Sequence, residues 1–160
     1  YETNRETAAH YADKLREWES LYRRKIATVF LPHDGETKER WNTHTPASDL
    51  YQAGIHNTVI VPKTRDIWIG INKLRGIILR SWFHSVCDRE IKENDDYLPN
   101  GVQCLEGYHT KTVDAGQAIV NKPVHDEFSH TADAARTFAE AKMHGLLNVH
   151  TEGRKPRNRR

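Results

Sequence analysis

The chain has 160 residues, 37% of them hydrophobic and 29% charged, with 24 Lys+Arg against 22 Asp+Glu and a formal net charge of +2. That length suits one domain able to bury roughly 70% of the surface its unfolded chain exposes, and the aromatic and aliphatic content excludes a disordered polyelectrolyte. No apolar run approaches the ~20 residues of a membrane span, no signal peptide is visible, and Cys87 and Cys104 form no CxxC, so a disulfide framework or structural zinc site is not expected and a reducing cytoplasm is the default compartment.

The small net charge hides an asymmetry. Arg154, Lys155, Arg157, Arg159 and Arg160 crowd the last eight residues without an acid, and subtracting those five from +2 leaves −3 for the rest. The body does not advertise nucleic acid by bulk charge; the tail does. The chain therefore divides into a body, 1–150, and a basic tail, 151–160, that is either a phosphate-binding arm or a solvated, disordered end. It opens on YETNRETAAH without a methionine, which fits a fragment or a processed piece.

Arg5 to Arg24 reads as one amphipathic helix, with Ala8, Tyr11, Leu15, Trp18 and Leu21-Tyr22 at three- and four-residue steps. The unbroken run Ile26 to Leu31, rich in β-branched residues, reads as a strand buried on both faces, and Pro32 ends its pairing. His33-Asp34-Gly35 follows, which puts Asp34 just past the carboxyl end of a central strand, where ligands gather in open α/β sheets. A plain turn is the alternative. Gly35 to Pro46 is a polar loop whose Lys38, Arg40 and His44 could approach a phosphate backbone, or simply be solvated. Ser48 to Ala53 is a short helix closed by Gly54, and Thr58 to Val61 a second short strand stopped by Pro62.

Thr64 is expected to cap a helix over Arg65 to Arg80, with Ile67, Ile71, Leu74 and Ile78 on one stripe and Gly70 and Gly76 permitting close packing on a sheet. Trp82-Phe83 reads as a short strand or buried corner. A further helix is expected from Ser85 or Asp88 to Lys92, a loop over Asn94 to Gly101, a helix over Val102 to His109, and a hairpin over Thr112 to Val120. No internal repeat occurs.

The second chemical stretch is Pro123 to Arg136, PVHDEFSHTADAAR. From about Glu127 the chain reads as an Ala-rich helix towards His144, ended by Gly145. His130 and Asp133 share a face at i, i+3, with Arg136 on the same stripe and Asp126 one turn ahead. Such a face either looks into a polar cleft or makes an ordinary cap and an Asp133–Arg136 ion pair. Carboxylates brought together repel unless cations lie between them, and hard divalent ions favour such oxygens.

LPHDG, then IVPKT, a helix, RSWF and KPVHDEFSHTADAAR, in that order across roughly Ile26 to Ala141, resembles the C-terminal nuclease domain of the large terminase subunit of tailed bacteriophages. The resemblance implies an α/β, ribonuclease H-like mixed sheet flanked by helices. It implies a Mg²⁺- or Mn²⁺-dependent endonuclease, with two ions, that cuts concatemeric double-stranded DNA when packaging starts and stops. By motif position Asp34 and Asp133 would be catalytic metal ligands. Asp126 would be a weaker ligand or sit beside the metals with His130, and His33 would position the site. Lys63 falls near it, and Lys38, Arg40, Lys63, Arg154, Lys155 and Arg157 are the candidate DNA contacts. The partners implied are the terminase ATPase domain, the small terminase subunit and the portal, in the cytoplasm of the bacterial host. The chain departs from the pattern: the opening strand with the first catalytic Asp is not found, and no GxxxxGK[ST] motor motif occurs, so the nuclease domain reads as truncated at its N-terminus. A catalytically incomplete DNA-binding or motor-docking module is therefore the alternative. A His-Asp phosphohydrolase is a third, on His33-Asp34 and His125-Asp126.

Overall fold

The structure is a computed structural model that describes residues 6–38, 44–89, 91–93, 96–110 and 122–148. Its elements run α1 (Ala8–Tyr22), β1 (Val29–Leu31), α2 (Pro46–Gln52), β2 (Thr58–Ile60), α3 (Ile67–Ile78), β3 (Ile91–Glu93), β4 (Asp96–Leu98), α4 (Gly101–Gly107) and α5 (Ser129–Met143), with 3-10 turns at His33–Glu36, Ser85–Asp88 and Leu146–Asn148. The fold is thus mixed α/β.

The Thr7 hydroxyl accepts from His10 N–H and starts α1, and Arg23 ends it in the left-handed region at φ 49°. The chain then turns towards the sheet under direct control of α1. Glu19 accepts from the Ile26 N–H and from Lys25 Nζ, at 2.8 and 2.7 Å, and the Lys25 bond foremost holds its carboxyl below the usual range. The Ile26 carbonyl accepts from the Asn57 amide at 2.7 Å. Because both main-chain groups of Ile26 are taken by side chains, the strand starts at Val29 rather than Ile26.

β1 pairs parallel to β2, Val29 against Thr58 and Leu31 against Ile60. The ladder is bracketed by Val29 N–H to Asn57 O (2.9 Å) and Val61 N–H to Leu31 O (2.8 Å). Pro32 and Pro62 stop it, as their missing N–H requires. The strand residues are half-buried, not sealed on both faces; of the expected runs only Val61 is fully buried, at 1% exposure. β3 and β4 form a separate antiparallel hairpin that closes Glu93 against Asp96. β3 takes the place of the end of the helix expected up to Lys92, and β4 the Asp96–Leu98 part of the loop expected over Asn94 to Gly101. Strand pairing across the register outweighs the local turn signals there.

α2 begins two residues before the expected Ser48, in a reciprocal capping box between Thr45 and Ser48. The Arg16 guanidinium donates to the Ala53 carbonyl and joins α1 to α2. α3 is capped by Asp66, whose carboxylate accepts from Trp68 N–H at 3.0 Å, and not by Thr64. Ile71 and Leu74 are buried on α3, and the main partner of that helix is α5 rather than the sheet. Gly70 makes this possible: a Cβ there would lie 2.9 Å from Arg136 Cγ and against the Glu140 carboxylate. Trp82 and Phe83 form neither strand nor corner, being 99% and 47% exposed. α4 starts with a second capping box, Asn100 with Gln103, and buries Cys104 against α5. α5 itself ends at His144 with Gly145 at φ 73°, as expected. It lays Ala132, Ala139 and Ala141, all buried, into the interior and packs on α3, α4 and β1. The hairpin expected over Thr112 to Val120 lies outside the described residues, and so does the tail. No helix among the described residues is long and apolar enough to cross a membrane.

Candidate functional site

A cleft of about 550 Å³ opens between α5, the segment that runs from β2 into α3, and the chain on either side of Tyr108 and Val124. Helical geometry explains what α5 contributes. Ser129, Asp133, Arg136 and Glu140 recur at steps of four, three and four, so they form one stripe along the helix, and all four line the cleft. The opposite wall is Lys63-Thr64-Arg65-Asp66 with Ile67 and Trp68, and His33 reaches it from the turn after β1. Lys122 and His125 complete the rim. The isolated pair Thr110–Pro123 and the Val124 N–H to His109 carbonyl bond (2.9 Å) hold the approaching chain beside α4.

The electrostatic centre of the cleft is Arg136. Its Nε and Nη2 donate to Asp133 Oδ1, both at 3.2 Å, and its Nη1 donates to Glu140 Oε1 at 2.8 Å. Glu140 is 6% exposed, so that bond supplies the countercharge a buried carboxylate needs. Burial works against the Arg136 charge, but Asp133 and Glu140 outweigh it and lift the guanidinium above its ordinary pKa. The Tyr108 hydroxyl donates to the same Asp133 Oδ1 at 3.2 Å. Burial first, and then the Asp133 charge, push the phenol up to about 12. At the head of α5, Ser129 Oγ donates to the Asp126 carbonyl (2.7 Å) and lies 3.1 Å from His125 Nδ1. Across the cleft Lys63, Arg65 and Lys122 are exposed, and among the described residues no acid pairs with them. The hydroxyl of Thr64 is buried with no hydrogen-bond partner among the described residues.

Comparison with protein-family models, with curated proteins and with solved structures finds no match for this chain. The assignment of each residue therefore rests on the geometry above.

Of the sequence-expected residues, the cleft gathers His33, Lys63 and Asp133. Asp34 is exposed in the turn after β1, and its carbonyl accepts from Thr37 N–H at 2.8 Å; it does not line the cleft. The Asp126 carboxylate accepts from Phe128 N–H (3.1 Å) and lies 4.0 Å from His109 Nδ1, which makes it a turn-former ahead of α5. His130 is exposed and meets the His125 ring edge-on at 5.1 Å. Lys38 is exposed away from the cleft wall, while Arg40, Arg154, Lys155 and Arg157 lie outside the described residues. The Asp133–Arg136 ion pair weighed from the sequence is present.

Sequence reasoning missed Tyr108, Ser129 and Glu140. The stripe of α5 was legible in principle: the 4-3-4 spacing of Ser129, Asp133, Arg136 and Glu140 is a polar face as regular as any apolar one, and of the three residues read onto it Asp133 and Arg136 belong there, while His130 stands where Ser129 does. Nothing local announces Tyr108, which reaches Asp133 from 25 residues away.

Among the described residues no group of three His, Cys, Asp or Glu side chains could hold a metal ion. Asp133 Oδ1 is shared by Arg136 and Tyr108, Glu140 by Arg136, and Asp66 caps α3. The described donors therefore do not by themselves fit a two-metal centre. What they do fit is an anion: Lys63, Arg65 and Lys122, which no acid pairs among the described residues, face Asp133 and Glu140, which share the Arg136 countercharge.

Proposed function

We propose that the chain is part of the nuclease domain of a tailed-phage terminase large subunit, ribonuclease H-like in fold, and that the cleft receives the phosphate backbone of double-stranded DNA. The observation that carries this reading is the meeting of three separate stretches of the resemblance in one cleft: His33 of LPHDG, Lys63 of VPK and Asp133 of the late block. Residues so far apart in sequence line one cleft when they share a ligand or a core, and these three side chains are polar and face one another across it. Lys63, Arg65 and Lys122 would bind phosphate oxygens, since each can release a condensed counterion on contact. Arg136 would hold Asp133 in place against the strand side of the cleft, and Tyr108 would fix the same carboxylate oxygen from the other side. Any Mg²⁺ or Mn²⁺ of the proposal would need donors beyond the described residues, with Asp133 the proposed ligand in the cleft and Asp34, outside its lining, the second acid the resemblance offers. ATPase domain, small subunit and portal remain the proposed partners.

A second reading has its own support. Asp133 already has three donors, from Tyr108 and Arg136, on one oxygen, which suits a DNA-binding or motor-docking module that does not cut. One experiment separates them. In the full-length protein with Mn²⁺, supercoiled plasmid should be nicked, and Asp133→Asn should abolish nicking. The folded state should lose no more than about 1 kcal/mol, because the Asp133 side chain is 39% exposed and its ion pair is screened. Nicking that survives the substitution removes Asp133 from the reaction; a wild-type protein that binds duplex DNA yet never nicks it supports the module.

A further inference from the structure

The end of α3 displays the two most exposed large apolar side chains among the described residues, Trp82 and Leu79. After Ile78 the chain is pinned by Arg80 N–H to Ile77 O (2.9 Å), Ser81 N–H to Ile78 O (3.0 Å) and Ser81 Oγ to Ile77 O (2.9 Å). It is pinned again at His84, whose Nδ1 accepts from Val86 N–H at 3.2 Å and whose carbonyl accepts from Cys87 N–H at 2.8 Å. Trp82 and Phe83 are the two residues between these anchors. Trp82 is 99% exposed and Leu79 beside it 87%. A large apolar display of this kind marks an interaction surface. Its surroundings state the charge of the partner. Residues 73–89 carry Lys73, Arg75, Arg80 and Arg89 against the one acid Asp88, all four cations are exposed, and among the described residues no acid pairs with Arg80 or Arg89.

We propose that Trp82 and Phe83 are a base-stacking platform for single-stranded nucleic acid, with Arg80 and Arg89 on its phosphates. Exposed aromatic rings offer every base a π-face, and flanking cations follow the backbone, so binding is tolerant of sequence and sensitive to salt. A duplex keeps its bases stacked on one another and leaves the rings unused. A protein partner of apolar character would find Arg80 and Arg89 flanking the rings without a paired acid among the described residues, which charge complementarity disfavours. The surface is distinct from the α5 cleft, and the proposal does not rest on the nuclease reading.

The test uses the full chain and a labelled oligo-dT strand, read by anisotropy and by quenching of tryptophan fluorescence. Trp82→Ala should weaken binding about tenfold or more, as loss of one stacked base does. Trp82→Phe should restore most of it, and Arg80→Gln should lower the slope of log K against log salt by ~0.7. The same oligonucleotide as a duplex should show no dependence on Trp82. Equal affinity of wild type and Trp82→Ala overturns the proposal. So does a wild-type dimer that Trp82→Ala converts to monomer, which would make the surface a contact between copies. A fall in melting temperature on removing the ring overturns it too, since it would mean that the ring is buried in solution.

Discussion

Tyr108, Asp133 and Arg136 act as one unit on a single carboxylate oxygen, and their coupling has a measurable pH signature. The Tyr108 phenol titrates at 10.0 when free and about 12 in the fold. The folded state therefore binds this proton more tightly than the unfolded chain. Its contribution is complete below pH 10 and is lost as pH rises towards 12, because between those values the unfolded chain has already released the proton. Tyr108→Phe removes the phenol and with it this part of the alkaline destabilisation. Melts of the two proteins should run parallel below pH 10 and converge above it, with an offset of about 1 kcal/mol from the lost hydrogen bond. Curves that stay parallel through that window would show that the phenol does not carry the shift. At this scale the sequence was legible where chemistry is local. Asp133 with Arg136 is an i, i+3 pair that any helix would form. Tyr108 was not legible, because its partner is set by how α4 packs on α5.

The two helices α3 and α5 meet through Gly70, and the wall of the cleft depends on that approach. Gly70→Ala would push a methyl group against Arg136 Cγ and the Glu140 carboxylate. Overpacking of this kind costs about 1–3 kcal/mol, here with the ion pair displaced as well. Gly76, on the same helix, has nothing within 4 Å of its added Cβ, so Gly76→Ala should stabilise α3 by about 0.5–1 kcal/mol through helix propensity alone. Denaturant titration of the two variants should give shifts of opposite sign; two shifts of the same sign would mean that α3 and α5 do not pack as described. The period of α3, its start near residue 65 and the proline stops of both strands could be read from the chain. The partner of α3 could not, since a stripe of isoleucines with glycines fits a sheet or a helix equally well. Asp66 displaced Thr64 as cap for a similar reason: both residue types cap helices, and the helix begins directly after Asp66, which takes the extended backbone at φ −130°.

Over the whole molecule, charge is divided rather than spread. The cleft cations and the α3 terminus are two separate positive regions of the described residues, while in sequence the five cations of residues 153–160 leave −3 for residues 1–152. Deleting residues 153–160 removes five positive charges. On the proposed DNA-binding reading, duplex affinity at low salt should fall, and the slope of log K against log salt should flatten by ~0.9 for each phosphate the tail engages. An unchanged slope would leave the cleft as the main electrostatic contact.

The parallel register of β1 and β2 has a further consequence, for biosynthesis. β1 receives its helical cover from α5, and α5 begins 98 residues after Leu31 ends the strand. At roughly 5–20 residues per second, translation leaves Val29-Phe30-Leu31 without that cover for roughly 5–20 s. Unlike the β3–β4 hairpin, which closes as soon as it is made, this strand waits on the ribosome for a helix far downstream, and its α5-facing side stays open to a nascent-chain chaperone in the meantime.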